Sequence, residues 1–323
     1  MGVKVSVSFY IILNETAGNG RAKGLWPEIK AILDQRQLAY QLTRTQYPGH
    51  ASELARQFAK QASGQQLTNS VVLAIGGDGT LHETLNGLIS AHLNTPIPIA
   101  CLPVGLNNNF AKGLNMATNW RAALDQIINC TTKNTVTIGT YTDTGKQTTG
   151  AFTNNVGIGF DAAVVNSANS TKTKSILSRL HLNKLRILAA IIGVCYNQTA
   201  FPMTVHVGRH RDMYPKAYLV TIANHPYFGN GLKVVPSASI SEPALDLIVI
   251  EKKHLPQLIY IGFMILLGKH LKLKAVHHYH EPKLHLVVPA IEYGQTDGEE
   301  MGGRYWDTYF ESATYPFWID PTI

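Results

Sequence analysis

The segment from residue 71 to residue 89 constrains the fold of this chain more than any other part of its sequence. Residues 71–75 form a continuous apolar run, which predicts a buried strand. The run ends at Gly76 and Gly77, and from Asp78 onward the apolar residues recur at helical spacing. Backbone N–H groups at such a helix start have no partner and, together with the helix dipole, attract phosphate. The segment therefore predicts a phosphate-binding corner between a strand and a helix. The alternative is an ordinary strand–turn–helix corner in which the glycines occur by chance.

The first part of the chain alternates between strand and helix patterns. Apolar runs at residues 3–13, 39–44, 71–75 and 97–102 predict strands, and helical spacing follows each of them. Such alternation is typical of an α/β domain with a parallel sheet covered by helices on both faces. Ligands of these domains bind at the carboxyl ends of the strands, which is where the glycine corner lies.

The pattern changes after residue 132. Short, threonine-rich, alternating runs predict antiparallel sheet, interrupted by helical regions at residues 161–196 and 255–267. A chain of 323 residues also exceeds what one core usually supports, so two domains are expected. The predicted strands of the second part lie at residues 135–141, 149–156, 203–207, 217–223, 245–251 and 283–288.

The charge balance narrows the choice of partners. The formal net charge is +7, an excess that suits nucleic acid, an anionic membrane surface or anionic substrates. No nucleic-acid-reading motif accompanies it, so a membrane surface is favoured and nucleic acid is not expected as a partner. The most apolar runs, residues 187–196 and 258–268, are shorter than the roughly 18 residues of a membrane span, and we predict that they are core helices, with helices that dip into the membrane as the less favoured alternative.

The corner also carries a family resemblance. Residues 76–80, Gly-Gly-Asp-Gly-Thr, resemble the nucleotide-binding signature of the diacylglycerol kinase catalytic superfamily, which the NAD kinases share. Glu83 and Asn86-Gly87 are similar to the lipid-kinase form, G-G-D-G-T-x-x-E-x-x-N-G, and favour it over NAD kinase. Five more segments resemble motifs of the family and occur in its order, at residues 14–20, 45–51, 155–162, 224–231 and 297–299.

The resemblance implies a particular two-domain fold. The expected architecture is an α/β N-terminal domain with a parallel sheet and helices on both faces, followed by a mostly antiparallel β-sandwich C-terminal domain. We place the nucleotide-binding domain at residues 1–132 and the β-sandwich domain at residues 133–309. As in the family, residues 310–323 are expected to return to the first domain.

The resemblance also implies a site for ATP and Mg²⁺ at the strand ends. Asp78 is expected to act on Mg²⁺ or on water near the phosphates, and capping of its own helix is compatible with that role. The residues expected to contact the nucleotide are Asn14, Thr16, Gly18, Thr45, Gly76, Gly77, Gly79, Thr80, Glu83 and Leu106.

A kinase must also take a proton from the acceptor hydroxyl, and Asp297-Gly298-Glu299 places two carboxylates around a glycine bend. By resemblance, Glu299 is the proton acceptor and Asp297 supports it. The adjacent Glu300 is interpreted as a solvated neighbour. An acidic surface turn would look similar in isolation, but the order of the motifs favours the catalytic interpretation.

Two segments depart from the family pattern. Where the family has G-T-G-N-D-F-A-R, Leu106 removes a hydroxyl expected near the phosphates and Asn107 replaces a glycine. Asparagine tolerates left-handed backbone angles, so we expect the loop to keep its shape. The family's metal-bearing S-x-x-D-D-G segment aligns with Ser239 and Glu242, which are the candidate metal ligands here, but proline follows the acid and cannot adopt a positive φ.

Four histidines lie along what we predict to be one strand of the second part. Because neighbouring positions of a strand face opposite sides, we do not expect these histidines to converge on a single metal ion. They are His277, His278, His280 and His285.

The leading hypothesis is an ATP-dependent kinase that phosphorylates a hydroxyl of diacylglycerol or a related long-chain lipid, held in a cleft between the domains. Its basic surface would rest on anionic lipid, which predicts a cytoplasmic enzyme peripheral to the inner face of the membrane. A homodimer is compatible, since dimers are common among similar proteins. A catalytically weakened nucleotide- or lipid-binding regulator is the main alternative, motivated by Leu106 and the changed metal segment, and NAD kinase activity is the less favoured one.

Overall fold

The computed structural model describes residues 7–62, 69–159, 198–228 and 232–320. These residues divide into two compact units. The first contains the described residues up to 137 and those from 314 onward, and the second contains residues 138–159, 198–228 and 232–313. Among the described residues, the chain passes from the first unit to the second after residue 137 and is back in the first unit from residue 314 onward.

The first unit alternates strands and helices along the chain. Its elements are β1 (Ser8–Leu13), α1 (Arg21–Gln35), β2 (Ala39–Arg44), α2 (His50–Gln61), β3 (Ser70–Gly76), α3 (Asp78–Ile89), β4 (Ile99–Pro103), α4 (Asn109–Gly113) and α5 (Trp120–Ile128). The strands are parallel in the order β2-β1-β3-β4, with Ile11 opposite both Leu42 and Leu73. Strands β3 and β4 are buried along their whole length, as is usual for parallel strands whose two faces are both covered.

The second unit is mostly strand. Its elements are β5 (Asn134–Asp143), β6 (Thr148–Phe152), β7 (Asn155–Gly159), β8 (Phe201–Val207), β9 (His210–Ala223), β10 (Tyr227–Phe228), β11 (Leu232–Lys233), β12 (Leu245–Glu251), α6 (Leu255–Leu266), β13 (Val276–Glu281), β14 (Lys283–Thr296) and β15 (Glu299–Phe317). The strand pairs of this unit are antiparallel, and the path β13-β12-β9-β7-β14-β15 forms its main sheet.

Two strands carry the chain from one unit to the other. Strand β5 begins in the first unit and continues into the second, and β15 runs back. At its end β15 joins the parallel sheet, where Phe317 lies opposite Ile99 and the Trp318 N–H donates to the Ile99 carbonyl at 2.8 Å. Strand β15 is therefore the element that enters the first unit near the end of the described residues.

One sequence-based expectation about apolar helices is wrong. We predicted a core helix at residues 258–268, but most of the large side chains of α6 are exposed, and Ile261 is its buried member. The second apolar run, residues 187–196, and the predicted helical region at residues 161–196 lie outside the described residues. Among the described helices, none has the length and apolar character that crossing a bilayer requires.

Candidate active site

The loops that follow β1 and β3 are joined directly. Leu13 and Ile75 lie opposite each other at the ends of these strands. Just beyond them, the Asn14 side-chain amide donates to Thr80 Oγ1 at 3.0 Å, and Asn14 Oδ1 accepts from the backbone and hydroxyl of Thr16 at 3.1 and 2.8 Å. The two loops with the predicted nucleotide contacts are therefore held together by hydrogen bonds at the carboxyl edge of the sheet.

The loop after β4 reaches the same edge. Gly77 and Gly105 pack backbone against backbone, and a Cβ on Gly105 would lie 2.5 Å from the Gly77 Cα. The Val104 and Gly105 N–H groups both donate to the Gly76 carbonyl, at 2.9 and 3.1 Å. Glycine is required at this crossing because any side chain would separate the two loops.

The remaining predicted nucleotide contacts lie at this edge too. Gly18, with a φ of 62°, belongs to the loop after β1, and Gly79 lies in the first turn of α3. The Thr45 N–H, just after β2, donates to the Leu13 carbonyl at 3.0 Å. All four parallel strands thus end in loops that carry predicted site residues.

The two acids of the corner hold neighbouring helices. The Asp78 carboxylate accepts from the backbone N–H groups of Asn109 and Phe110 at 2.9 and 3.0 Å, at the start of α4. The Glu83 carboxylate accepts from those of Gly49 and Ala51 at 2.8 and 3.1 Å, at the start of α2. Asp78 therefore caps the start of α4, a helix other than its own.

Among the described residues, the N-cap residue of helix α3 provides no side-chain cap. Its N-cap residue is Gly77, and no side chain of that residue covers the first turn. The first N–H groups of a helix have no partner within the helix, and the positive end of the helix dipole lies beside them. A phosphate can therefore bind at the start of α3, while carboxylates already fill the starts of α2 and α4.

The loop at residues 105–109 keeps its turn in an unexpected way. The left-handed residue is Asn108, with φ 50° and ψ 52°, and Asn107, which we had expected to replace the family's glycine in that role, has no positive φ. Asn108 also donates from its side-chain amide to the Gly105 carbonyl at 3.0 Å. Leu106 is 75% exposed, so it does not pack in the protein core.

A small recess lies beside these loops. Cys101 is one of its walls, and burial, together with the Asp78 charge, raises the pKa of the Cys101 thiol to about 12, so it stays protonated at neutral pH. Within the described part of the chain, the buried Oδ1 atoms of Asn108 and Asn109 have no hydrogen-bond partner. The recess is lined by Ala74, Gly76, Gly77, Asp78, Leu81, Cys101, Pro103, Asn108 and Ala111.

In the second unit, the predicted proton acceptor Glu299 and its supporting residue Asp297 lie at a tight turn between β14 and β15. Asp297 and Gly298 both have positive φ, 49° and 90°. The Asp297 carboxylate accepts from the backbone N–H groups of residues 153–155 at 2.7 to 3.0 Å and from the Thr153 hydroxyl at 3.1 Å. Asp297 thus fixes the turn by gathering a distant backbone segment, while Glu299 is exposed at the start of β15.

A buried histidine supports the same turn, and the sequence analysis did not single it out. His225 Nδ1 accepts from the Tyr227 N–H at 3.0 Å, so the proton is on Nε2, which donates to Asn154 Oδ1. Burial lowers the pKa of His225 to about 4, which keeps the ring neutral. The only signal in the sequence was the family-like segment at residues 224–231, which suggested no role for this residue.

The candidate metal ligands of the second unit are not gathered around a common point. The Glu242 N–H donates to the Ser239 carbonyl at 3.2 Å, and the Glu242 carboxylate lies 3.1 Å from His280. His278 and His280 meet the buried Asp246, whereas His277 pairs with Glu251 and His285 with Asp307. Across residues 7–62, 69–159, 198–228 and 232–320, no group of three or more His, Cys, Asp or Glu side chains is arranged to hold a metal ion.

Two known domain families match successive parts of the chain. Residues 8–140 match the diacylglycerol kinase catalytic domain, and residues 154–306 match the YegS C-terminal NAD kinase beta sandwich-like domain. The chain belongs to the diacylglycerol kinase catalytic superfamily, a class of lipid kinases. The predicted two-domain architecture is confirmed by these two matches.

Individual relatives match over most of the chain. YtlR of Bacillus subtilis is 25% identical over 309 residues, which cover 95% of this chain and 97% of that protein. A diacylglycerol kinase of Staphylococcus saprophyticus is 26% identical over 274 residues, 83% of this chain and 81% of that protein. A crystal structure of a Bacillus anthracis protein shares the fold, with a TM-score of 0.75 and 21% identity over 100% of this chain and 98% of that chain.

Proposed function

We propose that this protein transfers the γ-phosphoryl group of ATP to a hydroxyl of diacylglycerol or a related long-chain lipid. The observation that carries the proposal is the glycine corner of the first unit, where the loops after β1 and β3 are joined by Asn14 and Thr80. The start of α3, where the N-cap residue Gly77 has no side chain, lies beside these loops and the loop after β4. A triphosphate needs several N–H donors at one place, and this edge of the sheet offers them.

The residues at this corner fit both ATP and Mg²⁺. No side chain stands at the glycine crossing of Gly77 and Gly105 beside the start of α3, and the recess there is lined by Asn108, whose buried Oδ1 has no hydrogen-bond partner among the described residues. Mg²⁺ neutralises charge on the transferred phosphoryl group and is usually held by phosphates, waters and one or two carboxylates. Asp78 is the carboxylate of this corner that would hold it, because it lies at the start of α3 beside the loop after β4. The Ser239 and Glu242 pair does not fit a metal, since the Glu242 carboxylate lies 3.1 Å from His280 and no group of three such ligands is arranged there among the described residues.

We assign proton transfer to Glu299 and positioning to Asp297. The acceptor hydroxyl gives its proton to the Glu299 carboxylate as its oxygen bonds to the γ-phosphorus, and the bond to the β–γ bridging oxygen breaks to release ADP. Asp297 holds the turn through four hydrogen bonds to residues 153–155, which supports a fixed place for the neighbouring Glu299. We place this enzyme in the cytoplasm at the inner membrane face, where both ATP and a lipid acceptor are found.

Leu106 favours one rival function, a nucleotide- or lipid-binding regulator with weak turnover. It stands exposed where the family has a hydroxyl, so one expected contact to phosphate is missing. Incubating the pure protein with labelled ATP, Mg²⁺ and mixed lipid extract separates the candidates. A labelled lipid supports the kinase, nucleotide binding without turnover supports the regulator, and NADP formed when NAD is added supports the distant NAD kinase alternative.

Replacing Glu299 with Gln tests the assignment of the proton acceptor. The amide keeps the size of the side chain but takes no proton, so turnover should fall by about 10² to 10⁴-fold with little change in ATP affinity. Glu300→Gln is the matched control, because Glu300 is the adjacent exposed acid and should retain activity. A collapse of ATP affinity in Glu299→Gln would place this residue in the nucleotide site instead.

A further inference from the structure

Helix α6 is apolar on two opposite faces. Its inner face consists of Leu258, Ile261 and Ile265, which pack on the core cluster of the second unit that includes Ile248 and Val276. These three side chains are the ones through which the helix packs on this core cluster. The remaining apolar side chains of the helix therefore require a separate explanation.

The outer face of α6 is exposed and continuous. On a helix with 3.6 residues per turn, its large side chains fall within an arc of about 140°, with no charged residue among them. They make up six of the twelve large exposed apolar side chains of the described residues. We call this set the outer face: Leu255 (54% exposed), Ile259 (66%), Tyr260 (53%), Phe263 (56%), Leu266 (69%) and the adjoining Leu267 (51%).

Positive charge borders the outer face. From residue 252 to residue 280 the chain contains no Asp or Glu. Lys269, Lys272 and Lys274 follow the helix, are exposed, and form no ion pair within the described part of the chain. Lys252 and Lys253 precede it, and they contact the Gln198 carbonyl and the Glu251 carboxylate. An apolar face with a cationic border matches the two layers of an anionic bilayer, its acyl chains and its headgroups.

We infer that the outer face of α6 docks on the surface of an anionic lipid bilayer. Twelve residues of helix measure about 18 Å, which is too short to cross a bilayer of roughly 30 Å, so the helix lies in the plane of the interface. The choice of partner rests on the proposed function, since a lipid kinase takes its acceptor from a membrane. A second copy of the chain fits less well, because a two-fold contact through this face would bring the lysines of both copies together.

Vesicle sedimentation without ATP tests the inference. The double variant Ile259→Gln/Phe263→Gln should bind vesicles of phosphatidylcholine and phosphatidylglycerol at least tenfold more weakly than the unchanged protein. Lys269→Gln/Lys272→Gln should weaken binding by about fivefold per lysine, with a smaller salt dependence. The matched control is Met213→Gln/Ile291→Gln, which removes two exposed apolar side chains of the same unit and should leave binding unchanged.

Two results would overturn the inference. One is equal vesicle binding by the α6 and control variants, provided that both melt at the same temperature as the unchanged protein. The other is a dimer that light scattering shows to dissociate only in the α6 variant while vesicle binding persists, because the face would then join two copies. If the unchanged protein bound vesicles but showed no kinase activity, only the proposed function would be contradicted, since the binding measurement requires no turnover.

Discussion

At the scale of single residues, the glycine corner depends on two carboxylates that serve helices other than their own. Asp78 and Glu83 each accept two backbone N–H groups at the start of another helix, from residues 31 to 34 positions away in the chain. Each therefore fixes a neighbouring helix relative to the start of α3. Local sequence showed that these residues mattered, but their partners could not be predicted because no local pattern sets where α2 and α4 begin in space.

Leu106 provides a direct test of the phosphate loop. Since its side chain is 75% exposed, Leu106→Thr should leave no cavity and should cost little stability. If the position faces phosphate, the added hydroxyl donates a charge-assisted hydrogen bond worth at least about 1.5 kcal/mol, or roughly tenfold in ATP affinity. Calorimetric titration of ATP measures the change, and Leu106→Val is the control that shortens the side chain without adding a hydroxyl. Equal affinities in the two variants would show that the loop does not meet the nucleotide through this residue.

At the scale of elements, α2 and α3 cross very closely at Gly87. A Cβ on Gly87 would lie 2.2 Å from the Ser52 carbonyl oxygen and 2.8 Å from the Ser52 Cα, both backbone atoms of α2. The Glu83 carboxylate holds the start of that same helix one turn earlier in α3. The packing of α2 is therefore fixed both by a side-chain contact and by the absence of a side chain.

Gly87→Ala should destabilise the protein although alanine is normally the better helix former. The intrinsic gain of about 0.5–1 kcal/mol is outweighed by overpacking, which costs roughly 1–3 kcal/mol when backbone has to move. Gly24→Ala in α1 is the matched control, because a Cβ there meets nothing within 4 Å and should stabilise the protein. Thermal melting of both variants measures the difference, and equal melting shifts would show that α2 yields freely.

The elements also show what could be predicted from the sequence. The strand runs and the glycine corner are local patterns, and β1, β3 and β4 lie within the predicted runs or a residue or two from them. Helix α6 was predicted at the right place, but its surroundings were not. Apolar residues on both faces of a helix do not reveal which face is covered, because that depends on β12 and β13 packing on one side only.

At the scale of the whole molecule, buried histidines make stability depend on pH. The pKa of His225 is lowered from 6.5 to about 4 by burial, and burial also lowers the pKa of His270. Below pH 6.5 the unfolded chain binds a proton at His225 that the folded protein refuses until about pH 4. The associated stability is therefore present above pH 6.5 and is lost as the pH falls from 6.5 toward 4.

The expected loss for His225 is roughly 3 kcal/mol over that window, from about 1.4 kcal/mol per unit of pKa shift. Urea unfolding between pH 4.5 and 7.5 measures it, and the midpoint should rise with pH. His225→Asn should remove much of this slope, whereas His254→Asn, at an exposed position, should keep it. An imidazole of His225 that titrates near pH 6.5 by NMR would contradict the burial argument.

The return of β15 to the first unit has a consequence for protein synthesis. Phe317 pairs with Ile99, and the ring centroids of Phe317 and Phe110 lie 5.1 Å apart. The Tyr315 hydroxyl donates to the Ile97 carbonyl, and the Trp318 indole donates to the Ile127 carbonyl. On a translating ribosome, the segment with the predicted nucleotide site emerges before the second unit, whereas the end of β15, which joins its sheet, emerges after that unit. The nascent first unit must therefore wait with an open sheet edge, and the order of translation differs from the order in which the two units can be finished.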